Sequence, residues 1–285
     1  MKIRLGYEMI YECPQPTPML LSLNVHYTRS FDFVFSDRMV SDPPVACNAF
    51  RDAFGNWCNR IVAPRGQLRL SADALINDSG EADVIARHAQ QLPVDQLPNE
   101  AMLFLLGSRY CETDRLCEVA WKLFGNAPTG WARVQAICNY VHGHIEFGYE
   151  HARYTRTAWE TFHDRTGVCR DFAHLAVAFC RCMNIPARYC TGYLSDIDTL
   201  PPHGLMDFAA WIEVYLDSSW YTFDPRNNVP RVGRVLIARG RDAADVAIST
   251  IFGPATLLHF AVHTDELIER AEEPRAVARR FMHSH

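Results

Sequence analysis

The order in which strand and helix signals follow one another is the strongest constraint on this 285-residue chain. From Met1 to about Gln90 the signals are those of strands: IRLGYEMIYECP, MLLSLNVHY, FDFVFSDRMVSD and NWCNRIVAP are short, β-rich and separated by Pro, Gly and Asp. Such alternation implies an antiparallel sheet or sandwich. A polar stretch, INDSGEADVIARHAQQLPVDQLPNE, then gives way to helical spacing. It sets a boundary near Gln91 to Pro98, with a β-rich domain over residues 1–92 and a second domain over residues 97–285. In the second part helices come first and antiparallel strands follow, which reads as α+β and excludes a doubly wound parallel sheet. At roughly 150 residues per domain, the length accommodates both parts.

Three segments of the second part have helical spacing. TDRLCEVAWKLFG places Leu116, Cys117, Ala120, Leu123 and Phe124 on one face and ends at Gly125. TGWARVQAICNYVHGHI sets Trp131, Val134, Ile137, Cys138, Val141 and Ile145 inward behind a Thr129 cap. In TGVCRDFAHLAVAFCRCMNIPARYCTGYL, Phe172, Ala176, Phe179 and Met183 mark the buried face. Gly167 breaks the chain just before this helix, and Asn184 with Pro186 stops it. A strand, ARYCTGYL, follows, then a Pro- and Asp-rich loop from Ser195 to Met206, then a hairpin whose arms AAWIEVYL and WYTFDP flank the turn DSS.

Composition narrows the partners. A net charge of −5 argues against nucleic acid or an anionic membrane as the main partner. Lys2 and Lys122 are the only lysines among 28 cations, a bias without a basic stripe. The opening MKIRLGYEMIYECPQP alternates and has no small-residue cleavage site, so no signal peptide is expected. No apolar run reaches the ~18 residues of a membrane span. The expectation is a cytoplasmic protein with no membrane association. His142 and His144, at i and i+2 on a helix, cannot converge on one ion, and no Gly-rich phosphate loop is present; neither a metal nor another cofactor is called for.

The ten cysteines contain no C-x-x-C pair, and most read as reduced, small buried hydrophobes. Cys169 differs because it stands at a helix N-terminus. Roughly half a positive charge and free N–H groups lie there, which favour a thiolate and can stabilise the oxyanion of acyl transfer. Asp171, two residues on, is a favourable first-turn carboxylate and is read as structural.

The string GVCRDFAHLAVAFCRCMNIPARYCTGYL closely resembles the nucleophile segment of the transglutaminase-like cysteine protease superfamily, in its bacterial and archaeal branch. The resemblance continues through DFAAWIEVYLDSSWYTFDP to ARGRDAADVA and extends upstream to SRYCETDRL and VHGHIEF, covering roughly Leu106 to Phe252. Residues 1–92 look like the N-terminal region that these proteins carry. The resemblance implies a papain-like α+β catalytic core, with a helical part packed on an antiparallel sheet, and a Cys-His-Asp triad acting on peptides, isopeptides or other amides. Hydrolysis is favoured over cross-linking on the same ground. Cys169 falls on the nucleophile and Asp224 on the acid that orients the histidine.

The histidine itself belongs to a His-Ala-Trp segment, and here Ala209-Ala210-Trp211 stands in its place. Alanine cannot take the thiol proton or return it to a leaving amine, so the chain as written is expected to be nearly inactive. Three explanations are open: an engineered His→Ala variant, a natural pseudoenzyme that uses the cleft as a non-catalytic peptide- or protein-binding module, or a base relocated to another histidine. His203 is the nearest in sequence, and His174, about 140° round the helix from Cys169, reads better as a packing residue. Trp211 reads equally as a shield of the site or a core residue. Tyr154 and Trp159 are weaker candidates for the groove wall.

Overall fold

The computed structural model describes residues 1–197, 199 and 206–267. The first strand, β1 (Lys2–Cys13), shows why this end of the chain is a sheet. Every second residue from Ile3 to Cys13 is buried, the period of a strand with one covered face. It is followed by β2 (Thr17–Leu21), β3 (Phe33–Phe35), β4 (Val40–Asp42), β5 (Asn48–Arg51), β6 (Trp57–Ala63) and β7 (Gly66–Asn77). The expected single strand in FDFVFSDRMVSD is two short ones, β3 and β4. β7 is not among the strands expected above, although Leu68, Leu70, Ala72, Ala74 and Ile76 alternate inward along it. Its small residues face large ones on β1, with Tyr7 opposite Ala72 and Leu5 opposite Ala74.

The middle of the chain holds α1 (Asn99–Met102), α2 (Thr113–Phe124), α3 (Trp131–His144), β8 (Glu146–Phe147), α4 (Ala158–Asp164), β9 (Thr166–Gly167) and α5 (Cys169–Cys182). Then come β10 (Ala187–Leu194), β11 (Ala209–Leu216), β12 (Ser219–Phe223), β13 (Arg234–Gly240), β14 (Ser249–Ile251) and β15 (Thr256–Glu266). α2 buries Leu116, Ala120 and Phe124, whereas Leu123, expected inward, is exposed because the i, i+4 stripe leaves it at the edge. α3 buries the expected residues, but Gly130 stands at its N-cap and no Thr129 cap forms. α5 has no outer face at all: every residue from Asp171 to Cys182 is buried, with α2, α3, α4, β10 and β11 all packed against it. Asn184, at a positive φ of 60°, ends it as expected.

Among the described residues the strands form an antiparallel sheet in the order β12-β11-β10-β13 beside α5, and two others in the orders β15-β1-β7-β3, with β4 also on β7, and β14-β2-β6-β5. β8 and β9 make a short parallel pair. The β11–β12 hairpin turns through Asp217 and Ser218, both at positive φ, the geometry that matches strand twist. The last two strands leave the α+β part and return to the N-terminal sheets: β15 lies against β1 and β14 against β2. One apolar core accordingly runs from Ile3 to Val262 through both parts. The mixed helix and antiparallel sheet fold, with a β-rich N-terminal region, is the one the sequence led us to expect.

Candidate active site

Cys169 is the first residue of α5, and the chain before it is held by a buried charge cluster. α4 opens on a Thr157–Glu160 capping box and ends at Arg165 in the left-handed region. Val168 is extended, and its N–H donates to Asp171 Oδ2 at 2.9 Å. Asp171 is fully buried, and Arg156 Nη1 lies 3.5 Å from the same oxygen while donating to Thr166 O at 2.7 Å. Burial pushes the Asp171 carboxyl up, opposed by the Val168 N–H and by the charges of Arg170 and Arg156. Gly167 is required by close approach, since a Cβ there would lie 2.7 Å from Asp171 Cβ and Oδ2. Asp171 is therefore the clamp that fixes where the thiol emerges.

The opposite wall is the start of β11. Cys169 Sγ lies 4.0 Å from Phe208 O, and Ala209 and Cys169 line one cavity of about 220 Å³. Ala209 sits opposite Gly192 on β10, and its carbonyl accepts from Thr191 Oγ1 at 3.0 Å. Burial and then the nearby Asp207 carboxylate push the Cys169 thiol up to about 11, against the Ala210 N–H and the Arg226 charge, which pull it down.

Asp224 follows β12 directly. Ile212 pairs with Phe223, so continuing the register by one residue sets Asp224 opposite Trp211, diagonal to Ala209 on the same strand. Its acceptor positions are already used. Oδ1 accepts from Arg226 N–H at 3.1 Å and Asn227 N–H at 2.9 Å; Oδ2 accepts from Asn227 Nδ2 at 2.8 Å and Arg234 Nη2 at 3.0 Å. A carboxylate offers about four such positions. Arg234 also pairs with Asp83 and stacks over the Trp211 ring at 4.6 Å. Trp211 is 1% exposed and is a core residue.

The other histidines are occupied elsewhere. His174 is fully buried, stacked on Tyr110, and its Nε2 accepts from Ala243 N–H at 3.1 Å. His142 Nδ1 and His144 Nε2 bond the carbonyls of Arg226 and Phe162. Among the described residues no histidine lines either cavity that contains Cys169, and no group of three or more His, Cys, Asp or Glu could hold a metal ion. His203 lies outside the described residues. Tyr154 does line the second cavity beside Cys169, whereas Trp159 lies under Arg115, its N–H bonded to Glu112.

Sequence reasoning missed Asp207, Tyr149 and Arg226, all of which line the Cys169–Ala209 cavity. Asp207 reaches solvent yet leans on the cleft wall, and desolvation pushes its carboxyl up. A period of two places it on the same side of the chain as Ala209, a signal that was available. Tyr149 and Arg226 come from turns after β8 and β12, where spacing carries no such signal.

A cysteine thus stands at the N-terminus of a buried helix packed on an antiparallel sheet, with Asp224 at the end of that sheet's edge hairpin. Residues 118–225 match the transglutaminase-like superfamily. The chain is similar to a candidate cysteine protease from Cytophaga hutchinsonii, with a TM-score of 0.81 and 29% identity over 95% of this chain and 92% of that one, N-terminal sheets included. An uncharacterized protein of Mycobacterium leprae is 35% identical over 91 residues, 31% of this chain and 32% of that protein. One of Mycobacterium tuberculosis is 37% identical over 94 residues, 29% of each chain. The chain thus spans about a third of the length of the curated relatives it matches. Among the described residues no helix is long and apolar enough to cross a membrane.

Proposed function

We propose that this fold is a thiol-dependent amide-bond hydrolase, with Cys169 as its nucleophile and Asp224 as its orienting acid, in which Ala209 occupies the place of the base. In the complete reaction the sulfur bonds to the amide carbonyl carbon, the C–N bond breaks, and the base carries the thiol proton to the departing amine. Water then cleaves the thioester. The observation that carries this reading is the shared cavity: the thiol at the start of α5 and the methyl of Ala209 face one space, beside the Ala210 N–H. Peptides, isopeptides or other amides are the substrates this cleft would take.

At a thiol pKa of about 11, only ~1 in 10⁴ sulfurs is ionised at pH 7, and a missing acid–base group costs roughly 10² to 10⁴ in rate. The chain as written is nearly inactive at neutral pH. The test is to install the base: Ala209→His is expected to bring measurable amide or thioester hydrolysis, abolished again by Cys169→Ala. No turnover on a broad acyl panel from a folded Ala209→His protein would overturn the reading.

A second reading, a non-catalytic peptide-binding module using the same cleft, is favoured by one observation. Asp224 is already saturated by Arg234 and its own turn, as befits a site that no longer orients a histidine. Peptide binding without turnover in the Ala209→His protein is its expected result.

A further inference from the structure

The second cavity at Cys169, about 520 Å³, lies on the other side of the thiol and has a different character. Part of its wall belongs to the matched core, with Tyr154, Tyr189 and Phe208 its aromatic members; a second part comes from strands outside that core, Met9 and Tyr11 of β1 with Leu257 and Phe260 of β15. These are cross-strand neighbours. Met9 pairs with Phe260, and after a bulge Tyr11 pairs with Leu257. Inward residues of β15 otherwise alternate as Phe260, Val262 and Thr264, so an unbroken ladder would turn Leu258 toward the thiol. The bulge substitutes Leu257 and re-aims the strand, the recurrent use of bulges beside binding sites. The same strand braces the nucleophile's neighbourhood, because Phe260 packs on Phe208 with ring centroids 5.8 Å apart. Tyr11 is fixed by a 3.0 Å hydrogen bond to Ser249 Oγ of β14.

From this geometry we infer that the β1–β15 wall is the specificity surface of the site, taking a large apolar side chain, aromatic or branched aliphatic, of a peptide residue next to the carbonyl presented to Cys169. The inference rests on the reading of Cys169 as the attacking thiol. The cavity is roomy enough to bury a peptide side chain, and the β1–β15 part of its lining, Met9, Tyr11, Leu257 and Phe260, is aromatic and aliphatic, whereas its charged members, Arg153, Arg170 and Asp207, all come from the matched core. A small polar side chain would leave this surface wet and unpaired. A charged one would be desolvated against it. The apolar wall that discriminates is therefore contributed by strands that residues 118–225 do not include.

The test needs no turnover. N-acyl-phenylalanyl and N-acyl-seryl chloromethyl ketones alkylate Cys169 of the full chain at pH 9, sulfur bonding to the methylene carbon and chloride leaving. Modification is quantified by mass spectrometry of the Cys169 peptide, and each rate is divided by that for iodoacetamide. The phenylalanyl reagent is expected to saturate and to react at least ~10-fold faster than the seryl one, the discrimination of an apolar pocket for a few methylenes. Leu257→Asp should bring that ratio toward one, each reagent's rate again being divided by the variant's own iodoacetamide rate, which absorbs any change in the thiol itself. Leu257 is 46% exposed, so its replacement leaves the fold intact. Equal normalised rates in the unaltered protein, or a ratio that survives Leu257→Asp, overturns the inference. Failure of Ala209→His to turn over substrate, with the ratio present, would instead remove the hydrolase reading alone.

Discussion

Placing an imidazole at position 209 should change the thiol more than any other single substitution. In the present chain the Cys169 thiol is held up to about 11 by burial first and by the Asp207 charge second. An imidazolium about 4 Å from the sulfur, at an effective dielectric of about 20, contributes ~4 kcal/mol, or ~3 pKa units. While the imidazole is protonated the thiol should titrate near pH 8; because an ordinary imidazole, at about 6.5, is mostly neutral at pH 7, the ionised fraction there should rise ~200-fold. A less basic thiolate is a weaker nucleophile, by ~20-fold for three units and a Brønsted coefficient near 0.45, which leaves a net gain of ~10-fold. Iodoacetamide labelling of the Cys169 peptide from pH 6 to pH 10 measures both numbers. The unaltered chain should show a rate still climbing at the top of the range, and Ala209→His a rise that levels off near pH 6.5, where the imidazole loses its proton. A folded Ala209→His protein labelled at pH 7 no faster than its parent would refute the placement of position 209 beside the sulfur. A gain that appears only when Arg234 is also replaced would locate the obstacle in the occupied Asp224.

Arg234→Met should destabilise the fold by about 3 to 5 kcal/mol, since it strands the Asp224 and Asp83 carboxylates without their cation, and urea unfolding reads the loss. Gly167→Ala should cost about 1 to 3 kcal/mol by pressing a methyl into Asp171 and should slow Cys169 alkylation as the clamp shifts; an unchanged midpoint would count against the clamp. Burial pushes His26 down to about 3 and His174 well below its ordinary value, so the unfolded chain takes up their protons first. Stability should fall as the pH drops below ~6.5, and His26→Asn should flatten the slope between pH 6.5 and 5 in denaturant titrations. Burial also raises the Cys111 and Cys180 thiols to about 12, so the folded chain keeps protons that the unfolded chain releases. Stability should decline again above ~pH 9, less steeply in Cys180→Ala.

Much of the site's scaffold was legible because its signals are local. Gly167, the apolar spacing from Phe172 to Met183 and the Asn184–Pro186 stop define α5 without reference to anything distant, and they leave Cys169 at its start. Leu123 and Thr129 misled because a face boundary and a cap depend on what packs nearby. The Arg234–Asp224–Asp83 bridge was invisible for another reason. A long side chain laid across Trp211 joins residues whose separation in sequence carries no periodic signal. Alternation along a segment such as TLLHFAVHTDE announces a strand but not its partner, so the pairing of β15 with β1 could not be foreseen.

That pairing bears on how the protein is made. α5 and the thiol leave the ribosome well before β15 is synthesised, an interval of several seconds at roughly 5 to 20 residues per second. Throughout it Phe208 lacks Phe260, and the apolar face of β1 lacks one of its two neighbours. The nascent chain therefore carries an open, sticky sheet edge until β15 arrives, and ribosome-bound intermediates stalled before Thr256 are where chaperones would be needed most.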